Sequence, residues 1–223
     1  MRKLLCVLAL CAAVAPAATI TPIHSIAAEP DLDVILDTVY GAGNYFRIDD
    51  DSDQVWQAGQ ITVRALATFA GAHETLGYCV VCDGSDDVLF EQTFDFDGIF
   101  STPLTVGGSS ILLIDTPFVW FDFAQFLPYV GQVYSDPSMN PGGADHLVTF
   151  GLNGQPNTFV LGFEDWLFGT SPDSDRDYQD FVVEVTYVGG PPDISTPEPG
   201  AMLTMLGGLA ALFFIRRKRT AKG

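Results

Sequence analysis

Between residues 60 and 70 the chain alternates, with Ile61, Val63, Ala65, Ala67 and Phe69 apolar and Thr62, Arg64 and Thr68 polar between them. A repeat of two belongs to a strand with one face in a core and the other in water. Shorter runs of the same kind occur at 44–48, 75–81, 88–92, 110–114, 118–123, 146–151, 158–163 and 181–188. Gly, Pro, Asn or Asp breaks the chain every ten residues or so, and no helical period is evident between the runs. The expected fold is therefore all-β: an antiparallel β-sandwich, jelly-roll-like, of nine short strands. The Gly-, Pro- and Ser-rich stretches 107–110 and 135–144 are expected loops.

The chain has 223 residues, 48% of them hydrophobic, which is too apolar for disorder and suits one domain. Its formal net charge is -18. All 28 acidic residues lie between Glu29 and Glu198, where the only cations besides histidine are Arg47, Arg64 and Arg176. Such a surface repels phosphate backbones and anionic lipid, which argues against nucleic acid and peripheral membrane partners and favours cations.

The two ends differ from this middle. Met1-Arg2-Lys3 precedes an apolar run over 4–15 and then small residues, the pattern of a secretory signal peptide over 1–27. Ala15-Pro16-Ala17 and Ser25-Ile26-Ala27 are both cleavage sites, so the cut falls after Ala17 or after Ala27; His24 is expected in the cleaved or trailing part. Leu10 before Cys11 argues against a lipid acceptor there. At the other end Pro197-Glu198-Pro199 is followed by an apolar stretch over 200–215 and by Arg216-Arg217-Lys218-Arg219. At about 1.5 Å per residue that stretch reaches about 24 Å, a short transmembrane helix with its basic end in the cytoplasm.

This order of triplet, apolar span and basic stop resembles the PEP-CTERM sorting signal of Gram-negative bacteria. The resemblance implies processing by an exosortase near Pro197, Glu198 and Pro199, transient residence in the inner membrane, and delivery to the cell surface or an exopolysaccharide matrix. A permanent single-pass anchor is the alternative. The domain then covers 28–188, a Pro/Gly-rich stalk 189–196 and the sorting signal 197–223.

Carboxylates cluster inside the domain. Glu164 and Asp165 follow an apolar strand, and Asp173, Asp175, Asp177 and Asp180 lead into the strand 181–188. Alternating carboxylates in a loop are how a chain surrounds Ca²⁺, which takes six to eight oxygens, and unneutralised they repel one another. Asp173, Asp175, Asp177 and Glu184 fall at EF-hand positions, but Tyr178 stands where glycine is needed and no flanking helices are evident, so Glu184 is expected on the solvent face of its strand. Asp49, Asp51 and Asp53 form a weaker metal candidate, and Asp83, Asp86 and Asp87 a weaker one still. Solvated acidic loops are the simpler alternative in each case.

Gly162-Phe163-Glu164-Asp165, the run Asp175-Arg176-Asp177-Tyr178-Gln179-Asp180 and the upstream stretch 145–150 resemble the bacterial domain of unknown function 4114, with Gln179 where Asn is usual. The resemblance covers the second half of the domain and implies a β-rich extracellular module with a calcium site and no known activity.

Cys79 and Cys82 are the only cysteines left after the signal peptide. In an oxidising compartment a local disulfide is expected, with free thiols or a redox pair as alternatives. No G-x-S-x-G elbow occurs, and two cysteines without a nearby histidine do not make a zinc site. The reading is a secreted structural or adhesive matrix protein that uses Ca²⁺, bridging to anionic exopolysaccharide, and not an enzyme. The alternative is a carbohydrate-binding module stacking sugars on Phe118, Trp120, Phe121, Phe123, Phe126 or Tyr129. A third is a glycoside hydrolase using Glu164 and Glu184.

Overall fold

The computed structural model describes residues 19–25, 29–70, 72–85, 87–89, 98–105, 111–126, 129–165 and 176–189, all within one compact unit of residues 18–193. Apart from one helix and two short 3-10 turns, its regular elements are antiparallel strands. They are β1 (Tyr45–Arg47), β2 (Gly59–Thr68), β3 (His73–Cys79), β4 (Val88–Leu89), β5 (Gly98–Thr105), β6 (Leu112–Ile114), β7 (Val119–Phe126), β8 (Tyr129–Tyr134), β9 (Leu147–Leu152), β10 (Gln155–Phe163) and β11 (Phe181–Tyr187). One sheet runs β1-β9-β10-β11-β2-β5, with β6 also paired to β2; the other runs β4-β3-β7-β8. The nine expected strands all have counterparts; β5 and β8 are additional.

The main core draws on both sheets. Ile61, Val63, Leu161, Phe163, Phe181, Val183 and Val185 of the seven-stranded sheet belong to one buried cluster with Leu76, Trp120 and Val133 of the four-stranded sheet. Trp56 joins it with an edge-on contact to Phe159 at 5.4 Å between ring centroids.

The other face of the large sheet carries a second cluster, covered by α1 (Leu32–Tyr40). This helix corrects the expectation of none. Leu32, Ile35 and Leu36 form a buried stripe at helical spacing, and Gly41, at φ 85°, ends it with its N–H on the Asp37 carbonyl. Nine residues rich in β-branched side chains make a weak helix alone, so packing on the sheet is what stabilises it.

The alternation over 60–70 also breaks. Ala65 pairs with Val183 and Ala67 with Val182, so Leu66 is an extra residue in β2. Such a bulge flips the strand's remaining residues. Ile61, Val63 and Ala65 therefore face the main core, while Leu66, Ala67 and Phe69 join the helix-covered cluster.

Candidate metal centre

The end of the β10–β11 pair gathers carboxylates by register. Phe163 pairs with Phe181, so the residues just after β10 lie beside the residue just before β11. The backbone N–H of Asp165 donates to Asp180 Oδ2 at 2.8 Å. Glu164 is fixed from the other side: its N–H donates to the His146 carbonyl at 3.1 Å, and its own carbonyl lies 2.9 Å from His146 Nδ1. A carbonyl can only accept, so Nδ1 carries the proton. In this arrangement Glu164, Asp165 and Asp180 each present one carboxylate oxygen, all within 4.8 Å of one another. Glu164 is 2% exposed and Asp180 9%, while Asp165 is half-buried.

A glycine makes room for this. A Cβ on Gly162 would stand 2.4 Å from the Tyr178 carbonyl oxygen and 3.1 Å from Leu32 Cδ2, so the segment 176–180 crosses β10 at the one position without a side chain. Arg176 and Tyr178 both hold left-handed backbone at φ 56°, a conformation that costs non-glycine residues free energy and persists only when the surroundings impose it. The surroundings here are specific. Tyr178 is 1% exposed and its hydroxyl donates to the Asp145 carbonyl at 3.1 Å; the Arg176 carbonyl accepts the His24 N–H at 2.9 Å. Gln179 Nε2 donates to Asp177 Oδ2 and to Glu29 Oε2, both at 2.9 Å.

Burial pushes the Asp180 carboxyl well above the usual carboxylate range, and the charges of Asp165, Glu164 and Asp177 push it further. Burial pushes His146 down, towards its neutral form. Closely set carboxylates in a poorly solvated place either hold protons or hold a cation, and an all-oxygen set suits a hard divalent ion.

Two carboxylates that the sequence analysis did not single out adjoin this group. Glu74 of β3 and Asp122 of β7 are both 0% exposed. Burial pushes the Glu74 carboxyl well above the usual carboxylate range, and the neighbouring Asp122 and Asp165 push it further. Their signal is a lone acid in step with core residues: Leu76 pairs with Asp122 and Ala124 with Glu74, so both acids share the face of Leu76 and Trp120.

The other expected positions are distributed as follows. Asp173 and Asp175, the Pro197-Glu198-Pro199 triplet and the whole sorting tail lie outside the described residues. Asp177 is 1% exposed and bonded to Gln179, beside the trio but not of it. The EF-hand objection at Tyr178 is removed by its left-handed backbone, but the twelfth position fails. Glu184 is not on a solvent face: it is 6% exposed, receives Arg64 Nε at 2.8 Å, and is capped by the α1 residue Tyr40 at 2.7 Å. The outer face of β11 carries Glu184 and Thr186, and Thr62, Arg64 and Thr158 of the flanking strands lie beside them.

Asp49, Asp51 and Asp53 do not converge. Asp49 Oδ1 accepts the Asp51 N–H at 2.9 Å, and Asp49 Oδ2 and Asp51 accept the Thr19 N–H and hydroxyl at 3.1 and 2.9 Å. Asp53 turns inward at 3% exposure, and burial pushes its carboxyl up to about 8. Cys79 and Cys82 are joined in a disulfide, with Cα atoms 4.9 Å apart. Phe118, Trp120 and Phe121 are all at most 1% exposed, so they are core and offer no sugar-stacking face. Among the described residues no helix is long and apolar enough to cross a membrane. The chain matches no known protein family, no characterised protein and no solved structure.

Proposed function

We propose that this chain is an exported structural or adhesive module of the cell surface or exopolysaccharide matrix, its two sheets packed as a jelly-roll-like β-sandwich stabilised by Ca²⁺. The observation that carries the reading is the convergence of Glu164, Asp165 and Asp180 within 4.8 Å at the end of a rigid strand pair. Calcium is the ion of choice because the donors are all carboxylate oxygens and extracellular modules work at calcium concentrations that such sites match. Export rests on the signal-like residues 1–27 and on the sorting signal 197–223, where an exosortase would cut near Pro197-Glu198-Pro199. Of the two signal-peptidase sites, the bonds of Thr19, Thr21 and His24 to the domain support cleavage after Ala17, since cleavage after Ala27 would remove them.

Calcium bound among surface carboxylates would also let the module bridge to anionic exopolysaccharide. A hydrolase built on Glu164 and Glu184 is disfavoured. Glu184 lies four residues along β11 from Asp180, about 13 Å at about 3.3 Å per residue, beyond the roughly 5 to 9.5 Å that paired carboxylates need, and it is held by Arg64.

Protease treatment of intact cells tests the reading. The expected result is a chain that resists added protease in calcium and is degraded once EDTA is present. A chain that stays protected in EDTA until the cells are lysed would place it inside the cell and contradict the proposal.

A further inference from the structure

We propose that the α-ammonium group freed at Ala18 by signal-peptidase cleavage docks on Asp49 and Asp51, so that export itself completes the strap at the start of the domain. The proposal rests on the export reading and on its cut after Ala17.

Residues 19–24 form the strap. One loop takes up all three polar groups of Thr19: its N–H donates to Asp49 Oδ2 at 3.1 Å, its hydroxyl donates to Asp51 Oδ2 at 2.9 Å, and its carbonyl accepts the Asp50 N–H at 3.0 Å. Thr21 follows, with its N–H on Asp50 Oδ2 and its hydroxyl on Asp145 Oδ2. The His24 N–H then donates to the Arg176 carbonyl. Thr19 is exposed, so hydrogen bonds rather than burial hold it. The first residues of a domain are ordinarily loose unless something ties them down.

Charge supplies the rest of the argument. Asp49, Asp50 and Asp51 of the loop and Asp145 ahead of β9 all bond to the strap or its loop, and Arg47 of β1 answers Asp50 at 2.6 Å. Among the described residues the other ion pair is Arg64 with Glu184, which leaves Asp49 and Asp51 without an arginine. Residues 18–198 contain no lysine. An ammonium at Ala18 is therefore the one compact cation that processing adds to this stretch. By backbone dimensions its nitrogen lies within about 4 Å of the Thr19 nitrogen, which is itself 3.1 Å from Asp49 Oδ2. A carboxylate oxygen accepts more than one hydrogen bond, so Asp49 and Asp51 can take the ammonium and keep Thr19. In the uncleaved chain the same nitrogen is an amide with one hydrogen and no charge, so the contact exists only after the cut.

The test uses the chain as cells export it. N-terminal sequencing shows where it begins. The pKa of its α-amine is then read from the pH dependence of trace acylation, followed on the N-terminal peptide by mass spectrometry. The wild type is compared with Asp49→Asn/Asp51→Asn and with Asp83→Asn/Asp115→Asn, which removes as much charge outside the loop. The expected result is a start at Ala18 and a pKa about half a unit or more above the ordinary range of about 7.7 to 8.0. The control variant should keep that value and the loop variant should return to the ordinary range. Where the double loop variant does not fold, Asp51→Asn alone, at an exposed position, should give part of the drop. An ordinary pKa in the wild type, or a pKa lowered equally by the loop and control variants, overturns the docking and leaves the export reading standing. A start at Ala28 does the same, because it deletes the strap. A cell-surface chain that still begins at Met1 overturns both the docking and the cleavage on which it rests.

Discussion

Replacing Gly162 by Ala tests how the metal centre is assembled. The new Cβ would lie 2.4 Å from the Tyr178 carbonyl oxygen, about 1 Å inside the ~3.3 Å at which a carbon and a carbonyl oxygen rest. The neighbours that would have to move are backbone. Gly162 is paired on both sides, to Val148 and to Val182, so β10 cannot retreat, and the segment 176–180 must lift instead. The Gly162 backbone is not in the left-handed region, so Ala there gains roughly 0.4 to 1 kcal/mol from a less free unfolded chain. Overpacking of this kind costs about 1 to 3 kcal/mol and more when backbone must shift. The net expectation is a loss of about 2 kcal/mol, or a melting temperature lower by roughly 4 to 8 °C for a domain of this size. Because the lifted segment carries Asp180, calcium affinity should fall in the same variant. Differential scanning calorimetry with and without calcium gives both numbers. A melting temperature equal to or above the wild type would refute the reasoning, since it would mean that the segment does not rest on β10.

Other perturbations separate the remaining electrostatics. The Asp53 carboxyl is raised to about 8 by burial, so the folded chain holds a proton that the unfolded chain releases near pH 4; this contribution is complete at acid pH and is lost as pH rises towards 8, at up to about 1.4 kcal/mol per pH unit. Asp53→Asn should therefore flatten the fall in urea midpoint between pH 5 and 8, and an unchanged slope would show that Asp53 does not carry that proton. Arg64→Met leaves Glu184 buried with Tyr40 alone; because the Arg64 side chain is 45% exposed, the loss should be about 2 kcal/mol, below the cost of breaking a fully buried pair. Adding Glu184→Gln should restore most of it, and a double variant no more stable than Arg64→Met would place the cost elsewhere.

The strands were legible because alternation survives in a sheet with one face on a shared core, and the register of β10 with β11 brings Glu164, Asp165 and Asp180 together from positions that flank recognisable strands. What escaped has physical reasons. The helix α1 is nine residues long, so its stripe of Leu32, Ile35 and Leu36 is one repeat of a helical pattern. The bulge at Leu66 is a tertiary feature: nothing in Ala65-Leu66-Ala67 says which of the two apolar faces each residue will meet. Glu184 looked solvent-facing because its strand alternates, but α1 covers that face and Arg64 answers the charge. Glu74 and Asp122 come from strands whose pairing is long-range, and each looks like an ordinary acid until β3 and β7 are set side by side. Asp122 did carry a sign, since it stands in step with Trp120 and Ala124 on the apolar side of β7.

Thermal unfolding of the purified chain in EDTA, in millimolar Ca²⁺ and in matched Mg²⁺ and NaCl tests the central claim most directly. Calcium at about 100 times its dissociation constant adds about 2.7 kcal/mol for each site that exists only in the folded chain. A calcium-specific rise of roughly 5 to 10 °C for the Glu164, Asp165 and Asp180 site, diminished by that amount in Asp180→Asn, is the result the cation-stabilised account predicts. No rise, or an equal rise in Mg²⁺ and plain salt, would contradict it and leave Glu164, Asp165 and Asp180 as carboxyls that hold protons.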